Sequence, residues 1–154
     1  MRRRLLKLAY ALYGLRWRLF HPVTIGVRML LIADGQVVLL RHSYQDAWYF
    51  PGGGVKSGET LMAAAIREAH EEAGAVLLEE PWLLGVYTSF DQGKSDHIAL
   101  FVCERFRLEE ASDQWEIEEC GLFFLNALPT NTSKKIHRRL DDYHSGRRGL
   151  VGGW

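Results

Sequence analysis

Three carboxylates, Glu68, Glu71 and Glu72, stand at i, i+3 and i+4 in the run Leu61-Met-Ala-Ala-Ala-Ile-Arg67-Glu68-Ala-His-Glu71-Glu72-Ala73. On a helix that spacing places all three on one face. The arrangement works against local stability. Glu68 and Glu72 form a like-charge i,i+4 pair, worth about 0.2–0.5 kcal/mol of repulsion, and the last turns of a helix disfavour negative charge. Arg67, four residues before Glu71, is the nearby counter-charge. A solvated acidic face is the ordinary reading of such a pattern. A set of hard oxygen ligands for a divalent cation is the second, and it also explains why the acids accumulate against both local rules.

The residues just before them favour the second reading. Pro51-Gly-Gly-Gly-Val-Lys-Ser-Gly58 holds four glycines and one proline in eight residues. Such a loop reaches backbone angles closed to other residues and lets a ligand approach the main chain. Thr60 then reads as an N-cap, Leu-Met-Ala-Ala-Ala-Ile as helix, and Gly74 as the C′ stop.

Gly53, five residues, Glu59, seven residues, then Arg67-Glu68-Ala69-His70-Glu71-Glu72-Ala73-Gly74-Ala75 resembles the Nudix box, G-x5-E-x7-R-E-U-x-E-E-x-G-U, with U a bulky aliphatic. Every charged and glycine position agrees. Ala69 and Ala75 depart from the pattern, where the family carries Ile, Leu or Val, and this bears on packing more than on chemistry. The resemblance extends over roughly residues 22 to 143, through a Glu-rich loop, a Phe-rich last strand, a Leu-Pro step and a basic helix. It implies an α/β (α+β) fold of the α/β/α sandwich type, a mixed curved sheet between helices.

It also implies an activity: metal-dependent hydrolysis of a nucleoside diphosphate linked to another moiety. By this resemblance Glu68, Glu71 and Glu72 are metal carboxylates, with Mg²⁺ as cofactor and Mn²⁺ as a substitute. The Gly52 or Gly53 carbonyl is a further ligand. Glu68 or Glu72 orients or deprotonates the attacking water. Gly53, Glu59 and Gly74 are orienting positions, and Arg67 holds the carboxylates in place. In some members the base lies outside the box, which makes Glu116, Glu118 and Glu119 candidates, Glu118 first. Overall length and Trp48-Tyr-Phe-Pro-Gly-Gly-Gly54 resemble members acting on ADP-ribose or similar sugar nucleotides. The rivals are a nucleoside triphosphate pyrophosphohydrolase and, from another class, a non-catalytic nucleotide sensor. Sensors commonly lose a box glutamate, and this chain keeps them all.

The elements that must position these groups are legible in part. Val23 to Ala33 and Val37 to His42 are apolar, β-branched-rich runs around Asp34-Gly35, a hairpin signal. Val76 to Leu78 and Trp82 to Phe90 read as strands with a break at Pro81. Residues 97 to 106 read as a strand with two apolar faces, hence central. Residues 109 to 119 read as an acid-rich loop, Cys120 to Leu125 as the last strand. Residues 133 to 143 read as a helix capped by Ser133 with a stripe of Ile136, Leu140 and Tyr143. Residues 146 to 154 read as a loose tail, with Trp154 able to dock. Candidate substrate contacts are Arg41, Trp48, Tyr87 and Phe90, with Tyr44. Arg41 suits a phosphate, a carboxylate or solvent equally. The aromatics suit a base, a ribose or the core, and Trp48 reads as packing beneath the glycine loop.

A chain of 154 residues with 47% hydrophobic composition suits one domain with one core. It divides into a helical extension (1–21), the Nudix-like domain (22–145) and the tail (146–154). Equal numbers of basic and acidic residues, 19 each, give no global attraction to nucleic acid, and the resemblance implies a small nucleotide as the partner. Cys103 and Cys120 form no motif and read as buried thiols in a reducing cytoplasm. Residues 2–20 carry leucines at helical spacing among arginines. They lack a cleavage site and an uninterrupted apolar span of ~20 residues. Two roles stay open for them: a helix packed on the domain or on a second subunit of a homodimer, or a basic amphipathic helix on anionic lipid.

Overall fold

A computed structural model describes Leu12 and residues 22–111 and 115–154. The helix expected over 2–20, with its subunit or lipid roles, lies outside the described residues apart from Leu12. So does the part of the acidic stretch at 112–114. No described helix is long and apolar enough to cross a membrane.

Strand β1 (Val23–Ala33) turns back into β2 (Gln36–His42) through Asp34 and Gly35, whose φ values of 52° and 73° are those of the tight hairpin turn. Helix α1 (Leu61–Ala73) follows, then β3 (Ala75–Leu77), β4 (Trp82–Ser89), β5 (Ser95–Cys103), β6 (Phe106–Leu108), β7 (Ile117–Phe124), α2 (Lys134–His144) and β8 (Leu150–Gly153). Six strands form one mixed sheet in the order β7-β2-β1-β5-β4-β8, and β3 pairs with β6 apart from it. The central contact is the parallel pairing of β1 with β5, from Val23↔Ser95 to Leu31↔Cys103.

Alternation along β1 divides the core. Val27, Met29 and Leu31 pack with Ala64, Ala65, Ala69 and Ala73 of α1. Leu30 and Ile32 pack with Ile136 and Leu140 of α2 on the opposite face. This is the expected α/β/α sandwich. Alanines on the buried stripe of α1 bring it close to the sheet, so Ala69 in place of a larger aliphatic serves close packing. As expected, β5 is central and buried from Ile98 onward.

Several expectations are corrected. The strand read over 97–106 breaks at Glu104-Arg105 into β5 and β6, because Phe106–Leu108 pairs with β3. The stretch read as loop already joins the sheet at Ile117, where β7 pairs with β2. Cys103 is buried, but Cys120 is exposed, since β7 is an edge strand left partly uncovered.

The tail is not loose. β8 adds to β4 in parallel, Gly85↔Leu150 to Thr88↔Gly153, and a Cβ at Gly85 would lie 2.4 Å from the Leu150 carbonyl oxygen. Trp154 donates its backbone N–H to Thr88 at 2.9 Å, and its ring meets Tyr87 edge-on at 5.8 Å. The buried Arg139 guanidinium lies over both rings, pairs with Asp142 at 3.0 Å and donates to the Gly153 carbonyl at 2.7 Å. Trp154→Ala is therefore expected to cost about 2 kcal/mol, read as a lower urea midpoint. A loss below about 0.5 kcal/mol, the size of a neutral surface change, would show that the tail contributes nothing.

Candidate active site

The glycine loop lies along β1 as a further strand would. Val27 and Met29 donate to the carbonyls of Gly53 and Pro51, each at 2.9 Å, and Gly26 bridges Gly54. This pairing sets the loop against the middle and C-terminal half of α1, where Gly54 meets Arg67, Gly53 meets Glu68 and Gly52 meets Glu72. Thr60 caps that helix by accepting from Ala63 N–H at 3.1 Å, and Gly74 ends it with φ 64°. A Cβ at Gly74 would fall 2.1 Å from the Glu109 carbonyl oxygen, so the residue serves both the helix stop and the close passage of the chain.

Arg67 organises the acids. Its Nε and Nη2 grip both oxygens of Glu59 at 2.6 and 2.9 Å, a bidentate fork. Nη1 donates to Glu68 at 2.6 Å and to Glu71 at 3.0 Å, and Nη2 reaches the Gly54 carbonyl at 3.2 Å. The repulsion read from the helix is thus offset by one cation tied to three carboxylates. Glu68 lies directly against Gly53, where an added Cβ would meet its carboxylate at 2.7 Å. Glu72 is buried and accepts the Gly52 N–H at 2.7 Å, joining helix to loop.

The Arg67 fork, with a second hydrogen bond from Lys56 N–H, holds the Glu59 carboxyl down from 4.5 to about 2. Arg67 is in turn raised, chiefly by Glu59. Because the folded value lies below the ordinary one, ionised Glu59 favours the fold above about pH 4.5. That contribution is lost as pH falls toward 2. The difference in Tm between wild type and Arg67→Gln is expected to narrow over this interval. A gap constant from pH 6 to 2.5 would refute the linkage.

Two adjoining cavities meet here. One, of about 360 Å³, is bordered by Glu68, Glu71, Glu72, Glu116, Lys56 and Arg67. The other, of about 370 Å³, is bordered by Thr24, Ile25, Val27, Lys94, Asp96 and Ile98. Arg28, His42, Tyr44, Gly53 and Gly54 line both. The first offers hard carboxylate oxygens, the donor type that suits Mg²⁺ or Mn²⁺. Among the described residues no three His, Cys, Asp or Glu converge as a ready cage, because Arg67 draws Glu68 and Glu71 to itself. Mg²⁺ typically takes one or two carboxylates, keeps water and uses substrate oxygens. The donor chemistry therefore fits such an ion.

Other expected residues fall elsewhere. The Gly52 carbonyl, expected on the metal, accepts from Arg28 Nη1, and that of Gly53 accepts from Val27 N–H. Of the acids before the last strand, Glu116 borders the cavity, whereas Glu118 and Glu119 pair with Arg41 at 2.8 and 3.2 Å. Arg41, read equally for phosphate, carboxylate or solvent, thus holds carboxylates. Trp48 and Tyr87, candidate substrate contacts, lie buried in the core. Trp48 packs edge-on against Phe123 at 4.8 Å. Tyr87 is 2% exposed, and burial, followed by its hydrogen bond to Asp142, pushes its hydroxyl up to about 12. Phe90 is exposed and lines neither cavity, but Tyr44 lines both and stacks on His42.

Arg28 was missed by sequence reasoning, as were His42, Thr24, Lys94 and Asp96. A signal existed for Arg28: a lone cation between Val27 and Met29 in an apolar strand is rarely placed there for packing.

Residues 21–143 match the family described as NUDIX domain. Over 120 residues the chain is 30% identical to the ADP-ribose pyrophosphatase of Methanocaldococcus jannaschii, across 74% of this chain and 69% of that protein. Over 51 residues it is 47% identical to the RNA pyrophosphohydrolase of Legionella pneumophila, a match spanning 32% of this chain and only 29% of that relative. The crystal structure of the MutT NUDIX hydrolase from Burkholderia pseudomallei superposes with a TM-score of 0.69 at 25% identity, covering 78% of this chain and 97% of that one.

Proposed function

Since the chain belongs to the Nudix family and is a Nudix pyrophosphohydrolase, we propose that it hydrolyses ADP-ribose or a similar sugar nucleotide with Mg²⁺, or Mn²⁺ in its place. The observation that carries this reading is the junction of the two cavities. A carboxylate-lined half that suits a cation on a pyrophosphate opens onto a half with apolar walls and hydrogen-bonding groups, which suits a nucleoside or sugar. The 30% identical relative named for ADP-ribose supports the substrate class.

In this reaction water bonds to one phosphorus and the bridging oxygen leaves with the other, giving two phosphate monoesters. A bound cation would neutralise the pyrophosphate and stabilise the leaving phosphate. Glu68, Glu71 and Glu72 would hold it. Arg67 positions Glu68 and Glu71, and Glu59 positions Arg67. Glu116, at the cavity wall, is better placed than Glu118 to accept a proton from the attacking water.

The test is turnover with Mg²⁺ on a panel of ADP-ribose, other sugar nucleotides, dinucleoside polyphosphates, nucleoside triphosphates and 5′-triphosphorylated RNA. The expected result is metal-dependent release of two monophosphates, fastest from ADP-ribose or another sugar nucleotide. Faster turnover of a nucleoside triphosphate or of RNA would refute the substrate class and keep the reaction class.

A further inference from the structure

We propose that Arg28 grips a phosphate of the substrate where the two cavities join; the inference rests on the pyrophosphate reading and adds a residue to it. Arg28 stands in the middle of β1, half-buried, on the wall shared by both cavities. Its Nη1 donates to the carbonyl of Gly52, and more weakly to that of Phe50 at 3.5 Å. These bonds hold the guanidinium still. A guanidinium carries five N–H donors, and Nε and Nη2 have no partner among the described residues.

Three other cations around the cleft are held in ion pairs, whereas Arg28, among the described residues, is not. Arg67 is tied to Glu59, Glu68 and Glu71, Lys94 to Asp96 at 3.0 Å, and Arg41 to Glu118 and Glu119. Among the described residues Arg28 makes no ion pair. A half-buried cation without a carboxylate is costly unless an anion arrives from outside. What arrives must touch both halves of the cleft, and a pyrophosphate between a nucleoside and a sugar does so. The planar fork suits two oxygens of one phosphate. Arg28 thus takes the phosphate on the nucleoside or sugar side, and the carboxylate half serves the other.

The experiment is calorimetric titration of the full chain with inorganic pyrophosphate in EDTA, for wild type, Arg28→Lys and Arg28→Gln, with Tm measured for each. Loss of charge-assisted hydrogen bonds predicts binding about ten- to a hundredfold weaker in Arg28→Gln. Lysine keeps the charge without the fork, so an intermediate affinity is expected. Arg28→Gln binding pyrophosphate as tightly as wild type overturns the proposal and leaves Arg28 as a clamp on the loop. So does a wild type that binds none. Should Arg28→Gln not fold, phenylglyoxal labelling of wild type decides the matter. Pyrophosphate should protect Arg28, and equal labelling with and without it overturns the assignment. No metal or turnover is involved, so failure here leaves the hydrolase reading standing. Binding intact with no turnover on the panel would instead overturn that reading alone.

Discussion

Glu72→Gln is expected to lower kcat of the Mg²⁺-supported reaction by about 10²–10⁴-fold with Tm essentially unchanged. Glu72 is 5% exposed and accepts the Gly52 N–H at 2.7 Å. Glutamine keeps an oxygen for that hydrogen bond, so helix and loop stay joined. It removes the negative charge on which a cation ligand or a proton acceptor depends. Glu72→Ala separates the two roles. It loses the charge and also leaves the buried Gly52 N–H without its acceptor, at about 1–3 kcal/mol. The pair predicts equal losses of turnover but different losses of stability, measured by steady-state kinetics and thermal unfolding. Glu72→Gln retaining a large share of wild-type turnover would remove Glu72 from the chemistry and leave it a structural tie.

Gly52→Ala is expected to have the largest effect on the fold, about 3 kcal/mol or more, which for a chain of this size lowers Tm by roughly 10 °C. Gly52 has φ 148°, a region L side chains rarely enter, and an added Cβ would lie 2.1 Å from the Val27 carbonyl oxygen and 2.8 Å from Arg28 Cα. Neither atom can give way, because both belong to the backbone of the central strand β1. The loop must lift, taking with it the Gly52 N–H that binds Glu72 and the carbonyl that holds Arg28. Activity should therefore fall together with Tm. Gly54→Ala is the control: nothing lies within 4 Å of its added Cβ, and Tm should hold. Equal Tm values for both variants would mean that the loop does not lie against β1 as described.

The local devices of the site were legible in the chain because they depend on neighbours in sequence. The Thr60 cap, the Gly74 stop, the shared face of Glu68, Glu71 and Glu72, the Asp34-Gly35 hairpin and the Ser133-capped α2 all follow from spacings of two to four residues. The two apolar faces of β5 announced a central strand for the same reason. Burial was harder to read for single aromatics. Tyr87 could stack on a base or enter the core on composition alone. Its burial depends on Arg139, Asp142 and Trp154, which lie over fifty residues away in the chain.

By itself the sequence determined a set of three carboxylates on one helix face behind a glycine loop, and the agreement of those positions with the Nudix box implied the reaction class. Period-two and period-3.6 patterns settled only that α and β elements are mixed along the chain; the layered α/β/α plan followed from the resemblance to the Nudix family. Only the tertiary structure decided the long-range placements: Arg28 and Tyr44 on the cleft wall, Glu116 at the cavity with Glu118 on Arg41, and the tail as a sixth strand of the main sheet. These depend on the parallel pairing of β1 with β5, on β7 pairing with β2 and on β8 reaching β4. Such pairings join segments far apart in the chain, and no local spacing encodes which strand a distant one will meet.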